Sequence, residues 1–354
     1  MNLRKSAVWD CPEKVIIKDL EIPEIKPDQI LLKVESCAIC GSDLRILKHG
    51  NPRVESGQIV GHEISGLVEK VGEKVTKFKV GDRVSVGADV PCGKCVYCLS
   101  DRANCCDINY AIGHQFEGGF TQYMVLNDLT VRLGPVNKIN DDISYDLGAL
   151  AEPLACCING FERAYVKENS NIVIFGSGPI GLMLGQLAKS YKAKNIIIID
   201  PQENRLNVAK KILNEAHIIN PKNINAVEKV KEITDGFGGD FIFTACPSID
   251  AHQDAVEMVA KRGVINLFGG LPKDAPKLSF YSNLIHYKEA YITGSHGSTP
   301  AQHARAVEMI NTKEIDLSNF ITHKYNISDI NEAYKMAASG NAVKVIIKPN
   351  SNSS

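Results

Sequence analysis

The chain has 354 residues, 44% hydrophobic and 23% charged, with a formal net charge of −1. That length exceeds what one core ordinarily serves and the apolar share excludes a disordered chain, so two domains are expected. Balanced charge argues against an obligate nucleic-acid or membrane-surface partner, and no apolar run approaches the roughly 20 residues of a membrane span.

In chain order, residues 1 to about 150 read as short strands and turns. Residues 30–36 and the Gly/Val-rich text from Gly61 to Val86 suit a partly closed β domain, with Gly66, Gly72, Gly81 and Gly87 expected to supply bends. Within this stretch Cys40 precedes the pair His62-Glu63 by 22 residues. Sulfur, nitrogen and oxygen donors together suit a borderline-soft cation such as zinc, and three protein ligands leave a position open for water or substrate. Cys92, Cys95, Cys98 and Cys106 follow as C-x2-C-x2-C-x7-C, a spacing suited to a closed tetrahedral zinc site that stabilises a loop. The polar start Met1-Asn2-Leu3-Arg4-Lys5 carries no export signal, so a cytoplasmic, reducing setting is expected, in which clustered thiols mean metal. Cys105 is an extra neighbour, and Cys11, Cys37, Cys156, Cys157 and Cys246 are expected to be packing residues.

Helical text begins near Tyr145 and runs through Glu152 towards Tyr165. At Asn171 the pattern changes: an apolar strand (172–175), Gly176-Ser177-Gly178-Pro179-Ile180-Gly181, a helix (182–191), then a second apolar strand (196–199) ending on Asp200. A strand, G-x-G-x-x-G, a helix and an acid about 20 residues on is the pattern of a dinucleotide site. Gly176 would make the turn, Gly178 admit the pyrophosphate, and Gly181 let helix and strand pack closely, with the helix N-terminus at Pro179 and Ile180 facing the phosphates. Asp200 favours NAD over NADP, because a carboxylate accepts from ribose hydroxyls and repels a 2′-phosphate. Further strands at 241–243 and 264–268 complete a doubly wound α/β sheet. A helix (302–310) and a strand (343–347) end the chain.

The run Gly61-His62-Glu63-Ile64-Ser65-Gly66-Leu67-Val68-Glu69-Lys70-Val71-Gly72, followed by Val80-Gly81-Asp82-Arg83-Val84, closely resembles the signature of the zinc-containing medium-chain dehydrogenase/reductase family. The resemblance implies an α/β protein: a GroES-like β-rich catalytic domain (1–155), a Rossmann NAD-binding domain (156–292), and a return segment (293–354) completing the first. It implies two zinc ions per chain, one catalytic and one in the four-cysteine lobe. Ala151-Glu152-Pro153 matches the sorbitol and polyol branch, where the classical alcohol dehydrogenases have a cysteine. By that resemblance Glu152 is a zinc ligand, directly or through water, and Glu63 is a ligand or an adjacent carboxylate. Ser42, in Cys40-Gly41-Ser42-Asp43, matches the hydroxyl that takes the substrate proton, and Arg205 resembles an arginine lining the adenosine pocket.

Two departures stand out. Many relatives carry a relay histidine where this chain has Arg45, leaving water, the cofactor ribose or His49 to carry the proton, and Arg45 itself is either a candidate for an anionic substrate end or a surface residue with no role. No arginine stands in Gly294-Ser295-His296-Gly297-Ser298, where sorbitol dehydrogenases carry one, so His296 and His114 become pocket candidates. The expected activity is oxidation of a secondary alcohol of a polyol or polyol phosphate with NAD. The alternatives are a threonine 3-dehydrogenase-like reaction and a dinucleotide-binding sensor. A homotetramer or dimer is expected by analogy, without nucleic-acid or membrane partners.

Overall fold

The computed structural model describes residues 3–272 and 275–351. The chain forms two compact units, Met1–Ala155 with Gly297–Ser354, and Cys156–His296. Among the described residues no helix is long and apolar enough to cross a membrane.

The first unit is built on a seven-stranded sheet. Its central strand Ile30–Ala38 pairs antiparallel with Glu63–Val71, Tyr123–Leu126 and Lys344–Lys348. The last of these comes from the far end of the chain, so closing this sheet requires both segments of the unit. Alternating side chains such as Ile30, Leu32 and Val34 enter one core with Ile64, Val68, Val84, Phe120 and Met124. His303, on the helix Pro300–Asn311, ties the segments further: Asn137 Nδ2 donates to its Nδ1 (2.8 Å) and its Nε2 lies 3.2 Å from Ser85 Oγ. Burial holds that imidazole down at about 3, so it stays neutral.

Of the four glycines expected to make bends, only Gly81 has a left-handed backbone (φ 89°). Gly66, Gly72 and Gly87 are instead points of close approach. A Cβ on Gly66 would stand 2.2 Å from Lys33 O, one on Gly72 2.3 Å from Pro27 O, and one on Gly87 2.8 Å from the His303 ring. The reason is packing rather than turn chemistry.

The second unit holds a six-stranded parallel sheet, ordered His217–Ile219, Asn195–Ile199, Asn171–Phe175, Gly239–Thr244, Val259–Leu267, Tyr291–Gly294. Order 3-2-1-4-5-6 is that of the Rossmann fold, and the strand Asn171–Phe175 is buried on both faces as that order demands. Several boundaries move. The helix expected over 182–191 starts at Pro179, whose fixed φ suits a first helical position. The helical stretch from Tyr145 is two helices, Tyr145–Ala149 and Ala151–Ala164. The strand at 264–268 begins at Val259, through an irregular register. His217–Ile219 and Tyr291–Gly294, at the sheet edges, are too short to carry a readable period.

Candidate active site

Three elements of the first unit converge on one buried point. Cys40 stands two residues beyond the strand Ile30–Ala38 and takes the N-cap position of the helix Gly41–His49. His62 immediately precedes, and Glu63 begins, the neighbouring strand Glu63–Val71, with Ala38 paired to Glu63. Sγ of Cys40, a ring nitrogen of His62 and a carboxylate oxygen of Glu63 lie within 4.8 Å of one another.

Asp43 orients two of the three. Its Oδ2 accepts from Cys40 N at 2.8 Å, and its Oδ1 lies 3.4 Å from His62 Nδ1. An imidazole whose Nδ1 faces a carboxylate turns Nε2 towards a metal, the usual supporting arrangement. Ser42 Oγ is 3.3 Å from that Nε2. Lys344 Nζ reaches both carboxylate oxygens of Glu63, and the pair is 4% and 0% exposed. The same ammonium lies 3.4 Å from Ile39 O. Burial alone would lower the Lys344 pKa, but the Glu63 charge raises it, so the pair is ionic.

Glu152, second residue of its helix, is buried but lies outside the 4.8 Å group. Burial pushes its carboxyl up to about 7, with His62 pulling against it. His114 is half-buried with its ring centre 6.2 Å from that of His62, and burial holds it down at about 4.

The four lobe cysteines form the second group of sulfur, nitrogen or carboxylate donors within 4.8 Å. Cys92 and Cys98 sulfurs are 3.9 Å apart and those of Cys95 and Cys98 3.5 Å. A zinc with bonds of about 2.3 Å places tetrahedral thiolates about 3.8 Å apart, so the cage fits that ion. Backbone amides of Asp107 and Cys98 hold the Cys95 thiol down at about 6, favouring the ligating form. Cys105 points to solvent and takes no part in the cage.

In the second unit, a cavity of about 620 Å³ opens beside Gly176, Asp200, Gln202, Arg205, Lys222 and Ser248. Gly176 turns at φ 97°. A Cβ on Gly178 would meet nothing within 4 Å, leaving room above the helix N-terminus, while one on Gly181 would stand 1.8 Å from Gly176 O. Both Asp200 oxygens accept backbone amides, from Ser177 and Gln202 at 2.8 Å each, so the carboxylate is fixed in the cavity wall with lone pairs to spare. The buried hydroxyls of Ser177 and Thr244 have no partner among the described residues. These features fit a dinucleotide.

The profile of the alcohol dehydrogenase GroES-like domain matches residues 26–135, and that of the zinc-binding dehydrogenases matches residues 179–312. A sorbitol dehydrogenase of Halalkalibacterium halodurans is 32% identical over 93% of this chain and 94% of its own. This chain belongs to the zinc-binding dehydrogenase family. It is an oxidoreductase of that family, with a GroES-like domain and a Rossmann-like sheet. A D-arabitol-phosphate dehydrogenase of Enterococcus avium is 33% identical over 94% of this chain and 93% of its own. A solved zinc-binding dehydrogenase of Sinorhizobium meliloti, bound to NADP, superposes with a TM-score of 0.91 at 26% identity, covering 99% of this chain and 100% of its own.

Against the family pattern, the structure gathers Cys40, Ser42, His62, Glu63 and His114 and sets Arg205 beside Asp200. Arg45 and His49 are exposed on the helix Gly41–His49, and His296 is exposed in the second unit. Cys11, read as packing, is exposed at the end of its strand, because it closes an edge hairpin. Sequence reasoning missed Asp43 and Lys344. Asp43 was legible in principle, as the acid following Ser42 at the third position of a helix. Lys344 had no signal: it is one lysine among many, some 280 residues from Glu63.

Proposed function

We propose that this dehydrogenase oxidises a secondary alcohol of a polyol or polyol phosphate to the ketone, holding zinc at Cys40, His62 and Glu63 and using NAD as hydride acceptor. The observation that carries this reading is the buried sulfur–nitrogen–oxygen group with a serine hydroxyl at its edge. Three ligands of mixed type suit an open, catalytic zinc, whereas the four-thiolate cage suits a closed one. A zinc held there would lower the pKa of a substrate hydroxyl.

The chain's own residues do the rest. Ser42, hydrogen-bonded at the site, receives the hydroxyl proton. Glu152, buried and in electrostatic contact with His62 and Glu63 but outside the 4.8 Å group, would support the metal rather than complete its ligand set. Lys344 pairs with Glu63 and would limit how much negative charge a bound metal meets. The alcohol loses a proton to Ser42 and a hydride to the nicotinamide, giving ketone, NADH and a proton released to solvent. Asp200 supports NAD, since backbone amides fix both its oxygens where a 2′-phosphate would be repelled. The exposed edge strand Tyr291–Gly294, with Tyr291 and Ile292 uncovered, supports a homo-oligomer. Among the described residues no disulfide forms, which fits a reducing, cytoplasmic setting.

The test is NAD reduction by zinc-loaded protein with paired free and 1-phosphorylated hexitols. Turnover of either class supports the reading, and the preferred member of the pair names the substrate. Silence on both, with NADH binding retained, sinks it. Asp200→Ala should cut the preference for NAD over NADP by about ten- to a hundredfold, the worth of hydrogen bonds to a charged acceptor. An unchanged ratio would remove Asp200 as the selector.

A further inference from the structure

Two glycine–histidine dipeptides, Gly61-His62 and Gly113-His114, lie back to back in the first unit. Gly113 has φ 75°, and a Cβ there would stand 2.9 Å from Gly61 O and 3.0 Å from Gly61 N. Gly61 has φ 95°, and its own Cβ would stand 2.9 Å from Cys37 Sγ. The glycine at 113 lets the two backbones touch, while Gly61 leaves room for Cys37, and the imidazoles stand side by side, 6.2 Å apart and tilted by 56°.

The loop that carries His114 is firmly held. Gly113 N donates to Phe116 O and Gly119 N to Gly61 O, both at 2.9 Å. Arg53 staples it from outside, donating to Asn109 O and, at 3.0 Å, to Gln115 Oε1. The two rings then differ in their commitments. His62 faces Asp43 with Nδ1 and Ser42 with Nε2. His114 stands 3.4 Å from Ile112 O with Nδ1, a donor's position, which leaves the lone pair on Nε2. That nitrogen has no hydrogen-bond partner among the described residues, and His114 is outside the metal-ligand group.

We propose that His114 is a specificity-determining residue, accepting a hydrogen bond from a substrate hydroxyl next to the carbon being oxidised. The inference rests on the reading above that the substrate is a polyol oxidised at the Cys40–His62 centre. A simple secondary alcohol has no second hydroxyl to offer, and a site built around a hydrogen bond discriminates against the analogue lacking it. His114 therefore favours polyols over monohydric alcohols.

The experiment compares wild-type protein, His114→Phe and His114→Asn, all zinc- and NAD-loaded, on sorbitol, xylitol and 2-butanol. Zinc content and the Kd of polyol for the NADH-loaded protein are measured by metal analysis and calorimetry. Loss of the hydrogen bond in His114→Phe should raise KM and Kd for the polyols about ten- to a hundredfold, with kcat and zinc content held. Turnover of 2-butanol should stay within about twofold, and His114→Asn should recover part of the polyol affinity. Equal losses on polyols and 2-butanol, or loss of zinc, would overturn the proposal and make His114 a support for His62. A wild-type protein that oxidises neither these alcohols nor 1-phosphorylated hexitols would instead overturn the parent reading.

Discussion

The first unit contains two clusters of side chains able to hold a metal, built on opposite plans. The lobe at Cys92, Cys95, Cys98 and Cys106 is local: four like donors within 15 residues, three of them part-exposed, fixed by short turns and backbone amides. The centre at Cys40, His62 and Glu63 is unlike in every respect. Its donors differ in kind, two of the three are fully buried, and its supports, Asp43 and Lys344, come from a helix start and the final strand. A closed cage of identical ligands has nothing left to do but hold a loop. A mixed set with a hydroxyl beside it keeps chemistry available, and needs partners to hold each ligand in place.

The sharpest way to break this contrast is His62→Ala. It should lower kcat/KM by about 10³-fold or more, the worth of several kcal/mol of metal assistance, while metal analysis shows one zinc kept in the lobe. Loss of both ions would mean that the two clusters are not independent.

Lys344→Met probes the buried support. Removing one partner of a buried ion pair leaves the other uncompensated, so the metal-free variant should lose about 3–5 kcal/mol of stability. Added zinc should restore more of its melting temperature than it adds to wild type, because Glu63 is freed to meet the cation. A metal-free Tm equal to that of wild type would show that the pair does not hold Glu63.

Cys95→Ser is the smallest catalytic effect and the counterpart of the first. Zinc content should fall by one, limited proteolysis should cut within residues 91–109, and kcat/KM should drop by less than about tenfold. A larger loss would give the lobe a part in catalysis that its closed donor set does not suggest.

How far each cluster was legible follows from the same contrast. The lobe could be read whole, since its ligands, spacing and closure all sit in one short stretch. The glycine-rich turn, the helix after it and Asp200 could be read for the same reason, as could the candidate ligands Cys40, His62 and Glu63 through the family signature. Arg45, His49 and His296 were reasonable by position along the chain and ended exposed, because helical phase and the course of a loop decide which way a side chain faces. His114 could be named as a polar candidate, but only the contact of Gly113 with Gly61 sets it beside His62.

The sequence by itself determined the class of chemistry and the order of domains, because metal spacing, the phosphate-binding turn and strand periodicity are local patterns written in consecutive residues. Only the tertiary structure decided that Lys344 grips Glu63 and that His303 clasps Ser85 and Asn137, which joins the two segments of the first unit. It also decided that three glycines are contacts rather than turns. Those facts depend on sheet register and on packing between residues up to some 280 positions apart, and a distance of that kind leaves no mark in the sequence around either partner.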